Sequence, residues 1–367
     1  MQLAPGQLQQ HLQRGLKSLY TLHGDEPLLI QEAADAIRAV ARTQGYTERT
    51  SHTVAGAHFD WSEVLAAGGS LSLFADKQIV ELRIPSGKPG KDGSVAIQQL
   101  AAQAQGNDST LTIVMLPRLD KMTRTGGWFT ALDANGMTIQ VDPVERNALP
   151  QWIAQRLSAQ GQRVAPGEEG QHTLQFFADR VEGNLLAAHQ EIQKLALLFP
   201  VGDGYSKGDG VLSLEQVESA VLNVARYDVF KLSEAVLAGQ TVRVQRMLDG
   251  LKAEGEAEVL VHYTLSEDIR ALKRVKDAMG QGRPLPMALR EQRVWGVKER
   301  LFERVLPRLS DTTLANLLHA AHQVDGIVKG LKQPDWPANP WHALHRLAMQ
   351  LCQECVAAPA AGARDRR

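Results

Sequence analysis

Strand patterns in this sequence stop at Val141. Before that point, short apolar runs alternate with segments whose apolar residues recur every three to four positions; after it only the helical spacing remains. Any sheet must therefore lie in the first 140 or so residues. Strands separated by helices of this length predict a parallel, doubly wound α/β sheet, and the remainder predicts an all-α half.

The details follow from residue order. A buried strand is predicted at 19–22, leading into a helix from Pro27 that repeats Leu28, Ile30, Ala33 and Ile37. Further strands are predicted at 50–54, 78–82, 111–116 and 137–139, with Asp60 capping a helix through Val64 and Leu65 and another helix carrying Trp128 and Phe129. The run 111–116 is apolar apart from Thr112, which suits a strand buried on both faces at the sheet centre. Helices are predicted at 147–159, 168–181 and 184–198, followed by a glycine-rich linker at 200–210 and a helical bundle from 212 to 355. At 367 residues, 44% apolar and 22% charged, the chain exceeds one core but has ample material for two or three. The expected organisation is an α/β domain over 1–142, a small helical domain with linker over 143–210, a helical domain over 211–356 and a disordered tail over 357–367.

Several function classes can be set aside. A net charge of −1 leaves no uniformly basic coat, although a local basic patch can still meet nucleic acid. Only two cysteines occur, Cys352 and Cys355, too few for a disulfide scaffold. The N-terminus has no basic start followed by an apolar core, and no run of about eighteen apolar residues occurs, so neither signal peptide nor membrane span is expected. The expected location is the cytoplasm.

A doubly wound sheet binds nucleotides at the loop after its first strand. Here that loop is His23, Gly24, Asp25, Glu26 and Pro27. A phosphate cradle needs several glycines, a lysine and a magnesium-binding hydroxyl; this loop has one glycine and two carboxylates placed to cap the helix start. The stretch 87–93 has wrongly spaced glycines and reads as a mobile surface loop. Asp120, three residues beyond the apolar strand, reads as a solvated carboxylate. Cys352 and Cys355 have pair spacing with His342 and His345 nearby, but their place near a helix end predicts buried, inert thiols. No metalloprotease or serine-hydrolase motif appears, so no catalytic residue, cofactor or metal is expected.

One segment stands out. Between the helix ending near Gly68 and Gly69 and the strand from Gln78 come Ser70, Leu71, Ser72, Leu73, Phe74, Ala75, Asp76 and Lys77. A polar connection is the ordinary choice there. The apolar residues either fold back as core or project as a plug, and the residues alone leave both readings open. In a partner's pocket, Leu73 and Phe74 would contribute roughly 1.5–3 kcal/mol each, which is hot-spot scale.

The run from Ser70 to Gln78 resembles the clamp-binding element of the delta subunit family of the bacterial DNA polymerase III clamp loader. The run from Tyr20 to Glu32 is similar to that family's opening strand and degenerate nucleotide loop. Further blocks agree in order: Trp128 to Leu132, Leu149 to Trp152, Glu182 to Ala187, 251–272, and Arg293 to Trp295. The resemblance implies an AAA+-type ATPase-like domain without a working nucleotide site, a small helical domain, and a helical collar that joins a hetero-pentamer. It implies a non-catalytic subunit of the polymerase III holoenzyme, with ATP hydrolysed by sister subunits (gamma/tau) beside delta-prime. The implied partners are the beta sliding clamp, whose ring is opened during DNA replication, and primer-template DNA met through the complex. By position, Leu73 and Phe74 form the plug, with Leu71, Ser70 and Ser72 shaping its approach.

DNA contact has a weaker basis in the residues. Lys273 and Arg274 lie in a basic run with Arg270 and Lys276, which is ordinarily a solvated or subunit-facing surface. Trp336, in a proline-flanked loop, can stack on an unpaired base for about 1–3 kcal/mol or pack against Trp341.

Overall fold

Strands β1 (Gln2–Leu3), β2 (Leu19–Gly24), β3 (Glu48–Thr53), β4 (Gln78–Arg83), β5 (Thr110–Leu116) and β6 (Met137–Val141) form one sheet in the order β1-β6-β2-β5-β4-β3. These elements come from a computed structural model that describes residues 2–56, 58–69, 77–202, 209–222 and 224–357. Each recorded pairing in this sheet is parallel. Strand β5 is buried at every position, Thr110 and Thr112 included, and has a neighbour on each side, as its largely apolar run predicts. Strand β1 was not expected. Two residues carry no periodicity, and it exists because β6 offers Thr138 and Ile139 as partners for Gln2 and Leu3.

Alternation along the strands builds two cores. Leu111, Ile113 and Met115 join Tyr20, Leu22 and Ile139 on one face, under α1 (Leu8–Arg14) and α2 (Pro27–Thr43). Val114 and Leu116 join Leu19 and Leu82 on the other. That face lies under α3 (Trp61–Gly69), α4 (Gly90–Gln103) and α6 (Gly127–Asn135), with the short α5 (Lys121–Arg124) just before α6.

The stretch 87–93 departs from the surface loop expected of it, because α4 begins at Gly90. Gly93 is buried against Trp61, where an added Cβ would fall 2.3 Å from the indole. Its missing side chain serves helix packing.

Past the sheet come α7 (Leu149–Ala159), β7 (Arg163–Val164), α8 (Glu168–Val181), α9 (Leu185–Leu198), β8 (Val211–Leu212) and α10 (Leu214–Ala220). The chain divides into two compact units: 1–178 with 185–222, and 179–184 with 223–367. Helices α7 and α9, with most of α8, fall in the same unit as the sheet. Arg156 on α7 grips Glu32 on α2 with two hydrogen bonds of 2.5 and 2.6 Å, a geometry that adds orientation as well as energy. The unit also continues past residue 210. Strand β8 pairs in parallel with β7, and the Leu222 N–H donates to Glu191 at 3.2 Å. Two-residue strands carry no readable pattern, so neither β7 nor β8 was expected from the sequence.

The second unit is a helical bundle: α11 (Val229–Leu237), α12 (Thr241–Ala253), α13 (Glu258–Gly280), α14 (Leu285–Glu291), α15 (Val297–Val305), α16 (Asp311–Val328) and α17 (Pro340–Val356). Its core runs from Val229 to Cys355 and includes Leu265, Ile269, Leu317 and Leu347. No helix among the described residues is long and apolar enough to cross a membrane. Most of the predicted tail, residues 358–367, lies outside the described residues, as do linker residues 203–208.

Candidate functional site: the first loop and the base of the apolar segment

The loop after β2 has two constraints. Gly24 lies opposite Val141 of β6, and an added Cβ would sit 1.7 Å from the Val141 carbonyl oxygen. No side chain fits there. Glu26 then caps α2, its Oε1 accepting the Leu28 N–H at 3.4 Å, while Pro27 takes the first helical position. Burial pushes the Glu26 carboxyl upward, partly offset by that hydrogen bond. Asp25 turns across the sheet end. Its Oδ1 accepts the Arg118 N–H at 3.3 Å, and its Oδ2 lies 3.8 Å from the Arg118 guanidinium. The two carboxylates thus meet groups of this chain at the position where a phosphate would meet a helix N-terminus.

An open, mainly apolar cleft of about 430 Å³ adjoins the loop, lined by Gly24, Asp25, Ile30, Arg83, Met115 and Leu116 among others. Its cation, Arg83, lies 3.8 Å from the Glu81 carboxylate. Asp120 is no free carboxylate at the end of β5. It caps α5, accepting the Thr123 N–H at 2.7 Å, which holds its carboxyl below the usual range.

The plug residues Ser70, Leu71, Ser72, Leu73 and Phe74 lie outside the described residues. Their two flanks are described. Helix α3 ends at Gly69, and its start is set by Asp60, which accepts from the Ser62 N–H at 2.9 Å. The chain re-enters at Lys77 and Gln78. Gln78 Nε2 donates back to the Ala67 carbonyl at 2.6 Å, and Lys77 Nζ reaches the Gln44 carbonyl at 3.2 Å. The flanks of the segment are therefore tied to each other and to the sheet edge.

Three residues past Gln78, on the opposite face of β4, lies a charge network that sequence reading missed. Glu81 on β4 is fully buried. Its Oε1 lies 3.0 Å from Arg38 Nη1 and 2.8 Å from Arg49 Nε, and its Oε2 lies 3.8 Å from Arg83 Nη2. Arg38 is itself 4% exposed and also holds Asp35 at 2.7 Å. The partners are 32 and 43 residues from Glu81; no local spacing signals them.

The remaining candidates are in the second unit. Lys273 Nζ pairs with Asp277 and lies 3.5 Å from Asp311. Arg274 pairs with Glu267 and donates to Gln292. Both charges are engaged within the helical surface. Trp336 is half-buried on the bundle core, with the Arg346 guanidinium 4.4 Å from its ring centroid. Both line a groove of about 370 Å³ that also includes Asn316 and Gln323 of α16. Cys352 and Cys355 are buried free thiols. Burial pushes both upward, Cys355 to about 12.

Comparison with known proteins places these features in a family. A model of the DNA polymerase III delta subunit matches residues 20–142. A model of the C-terminal region of the processivity clamp loader gamma complex of DNA polymerase III matches residues 229–358. The DNA polymerase III subunit delta of Escherichia coli K12 is 30% identical over 357 residues, covering 97% of this chain and 98% of that one. Its counterpart in Haemophilus influenzae is 26% identical, covering 95% and 98%. Among solved structures, the DNA clamp loader delta protein of Bacillus subtilis aligns at 15% identity with a TM-score of 0.49, covering 95% and 99%. With a 30% identical relative matched along almost its whole length, this chain belongs to the delta subunit family of DNA polymerase III, a component of the clamp loader of the replicative holoenzyme.

Proposed function

We propose that this chain is the clamp-gripping subunit of its loader: it binds the beta sliding clamp through Leu73 and Phe74 and holds the ring open for loading onto primed DNA. The carrying observation is the tied base of the segment 70–76. Gln78 fastens to Ala67 across it, and the β3–β4 pairing begins at Gln78 itself. A preorganised base lowers the ordering cost of presenting an apolar tip to a partner. The plug supplies affinity; opening comes from tighter binding to the open ring than to the closed one, since a ligand shifts an equilibrium only by that difference.

The same reading makes the chain non-catalytic. The carboxylates of Asp25 and Glu26 engage the N–H groups of Arg118 and Leu28 at the loop where a nucleotide would sit, so ATP is hydrolysed by gamma/tau neighbours. In this reading the second unit serves as the collar that joins those subunits and delta-prime in a hetero-pentamer. Primer-template DNA is met through that complex. Trp336 is the first residue to test for direct contact, because Lys273 and Arg274 are held by Asp277 and Glu267.

The test places a fluorophore pair across one interface of the clamp ring. Adding the full chain without nucleotide should separate the pair. An unchanged signal at saturating chain would contradict ring opening, and micromolar binding of ATP with magnesium by the chain alone would contradict the non-catalytic assignment.

A further inference from the structure

Gln78 opens β4, yet it is only 7% exposed. Alternation along the strand puts its side chain on the same face as Leu82, which packs in one core with Val64 of α3. An apolar side chain would be the ordinary choice on that face. The glutamine amide instead ties α3 to the neighbouring strand. Its Nε2 donates to the Ala67 carbonyl in the last turn of α3 at 2.6 Å and to Thr110 Oγ1 of β5 at 3.5 Å. The Gln78 backbone N–H donates to the Ser109 carbonyl at 2.9 Å, so the amide is carried on a fixed backbone.

The turn it holds is weak by composition. Helix α3 closes with Ala66, Ala67, Gly68 and Gly69, and glycine is the poorest helix former after proline. The last four carbonyls of a helix have no partner within it. Gln78 meets one of these carbonyls from the sheet, at the point where the chain leaves for the segment 70–76.

A second tie braces the return. Lys77 Nζ reaches the Gln44 carbonyl at 3.2 Å and lies 5.1 Å from the Tyr46 ring centroid. The buried Tyr46 donates from its hydroxyl to the Asp108 carbonyl at 2.9 Å. The turns ahead of β3 and β5 thus steady the residue ahead of β4.

With Leu73 and Phe74 taken as the grip on the clamp, we propose that Gln78 is a positioning residue for that grip. It makes no contact with the clamp and raises affinity by fixing the end of α3 from which the segment departs. Both donors of its buried amide are spent within the chain, so its effect on a partner passes through the segment. Such an effect acts on the free chain. When only a fraction of the free chain is ready to bind, apparent affinity falls by that fraction. The loss then lies in the association rate, whereas losing a direct contact chiefly speeds dissociation.

The test follows the kinetics of the full chain binding the cognate beta clamp. Gln78→Met keeps the length of the side chain and removes both donors. It should bind about five- to tenfold more weakly, through slower association, with dissociation unchanged within about twofold. In the Leu73→Ala, Phe74→Ala background the same substitution should have no further effect, a coupling that general destabilisation would not produce. A folded Gln78→Met chain that binds like the parent overturns the proposal. So does a loss carried by dissociation, or one that persists undiminished in that background. If Gln78→Met does not fold, the half-buried Lys77→Met takes its place at high salt, which screens steering by its charge. Slower association there supports the proposal, and parental association overturns it. Failure of the grip itself looks different: the Leu73→Ala, Phe74→Ala variant alone then binds like the parent, and the positioning role falls with it.

Discussion

Replacing Glu81 by alanine tests the buried charge network that joins β4 to α2 and β3. Glu81 is fully buried and Arg38 is 4% exposed, with 3.0 Å between their charged atoms. Removing one member of a buried pair leaves the other charge desolvated, at a cost of about 3–5 kcal/mol. Arg38 keeps Asp35 at 2.7 Å, but Asp35 is 62% exposed, and solvent weakens that contact. Arg49 and Arg83, each 42% exposed, recover water on their own. The expected loss is therefore near the lower end, about 3 kcal/mol. With an m-value of about 2–3 kcal/mol/M, the urea midpoint of the first unit should fall by about 1–1.5 M. Hydrogen exchange should show faster opening in β3 and β4 while α13 and α16 of the second unit keep their protection. Arg38→Met combined with Glu81→Leu should restore most of the loss, since an apolar pair replaces a buried ion pair at little cost. A Glu81→Ala loss below about 1 kcal/mol, the value of an exposed pair, would refute the reasoning.

Other consequences are equally direct. Gly24→Ala drives a methyl into the Val141 carbonyl and should cost about 3 kcal/mol or more; a thermal midpoint within a degree of the parent would contradict the close approach. Burial holds the His262 ring below its ordinary range, with Nε2–H donating to the Ala321 carbonyl at 2.9 Å. The unfolded chain therefore takes up a proton near pH 6.5 that the folded chain refuses. Stability of the second unit should be full above that pH and fall as pH drops through it, a slope that His262→Gln should flatten and that denaturation at several pH values measures. With the Cys355 thiol pushed up to about 12, an aromatic disulfide reagent at pH 8 should leave it unmodified until denaturant is added; prompt reaction in the native chain would contradict its burial.

Legibility in the sequence followed the range of each interaction. Strands β2 and β5 and the cap at Glu26 are written in consecutive residues, so their positions could be read directly. The two carboxylates of the loop, Asp25 and Glu26, could also be read as groups placed at the start of α2. The Arg118 contact to Asp25 spans 93 residues, and Arg38 and Arg49 reach Glu81 from α2 and β3. No spacing rule reaches that far. Strands β1, β7 and β8 are too short for a period; they form because a neighbour offers an edge. Glycines misled at 87–93, where Gly93 serves contact with Trp61. The apolar segment was conspicuous for its composition, and its base could be seen only once Gln78 and Ala67 were placed.

The central claim is that Leu73 and Phe74 grip the clamp. The direct measurement is the affinity of the full chain for the cognate beta clamp, compared with that of the double variant Leu73→Ala, Phe74→Ala, with thermal midpoints confirming that both are folded. At roughly 1.5–3 kcal/mol for each residue, the variant should bind about a hundredfold more weakly or worse. Equal affinity in a folded double variant would contradict the account.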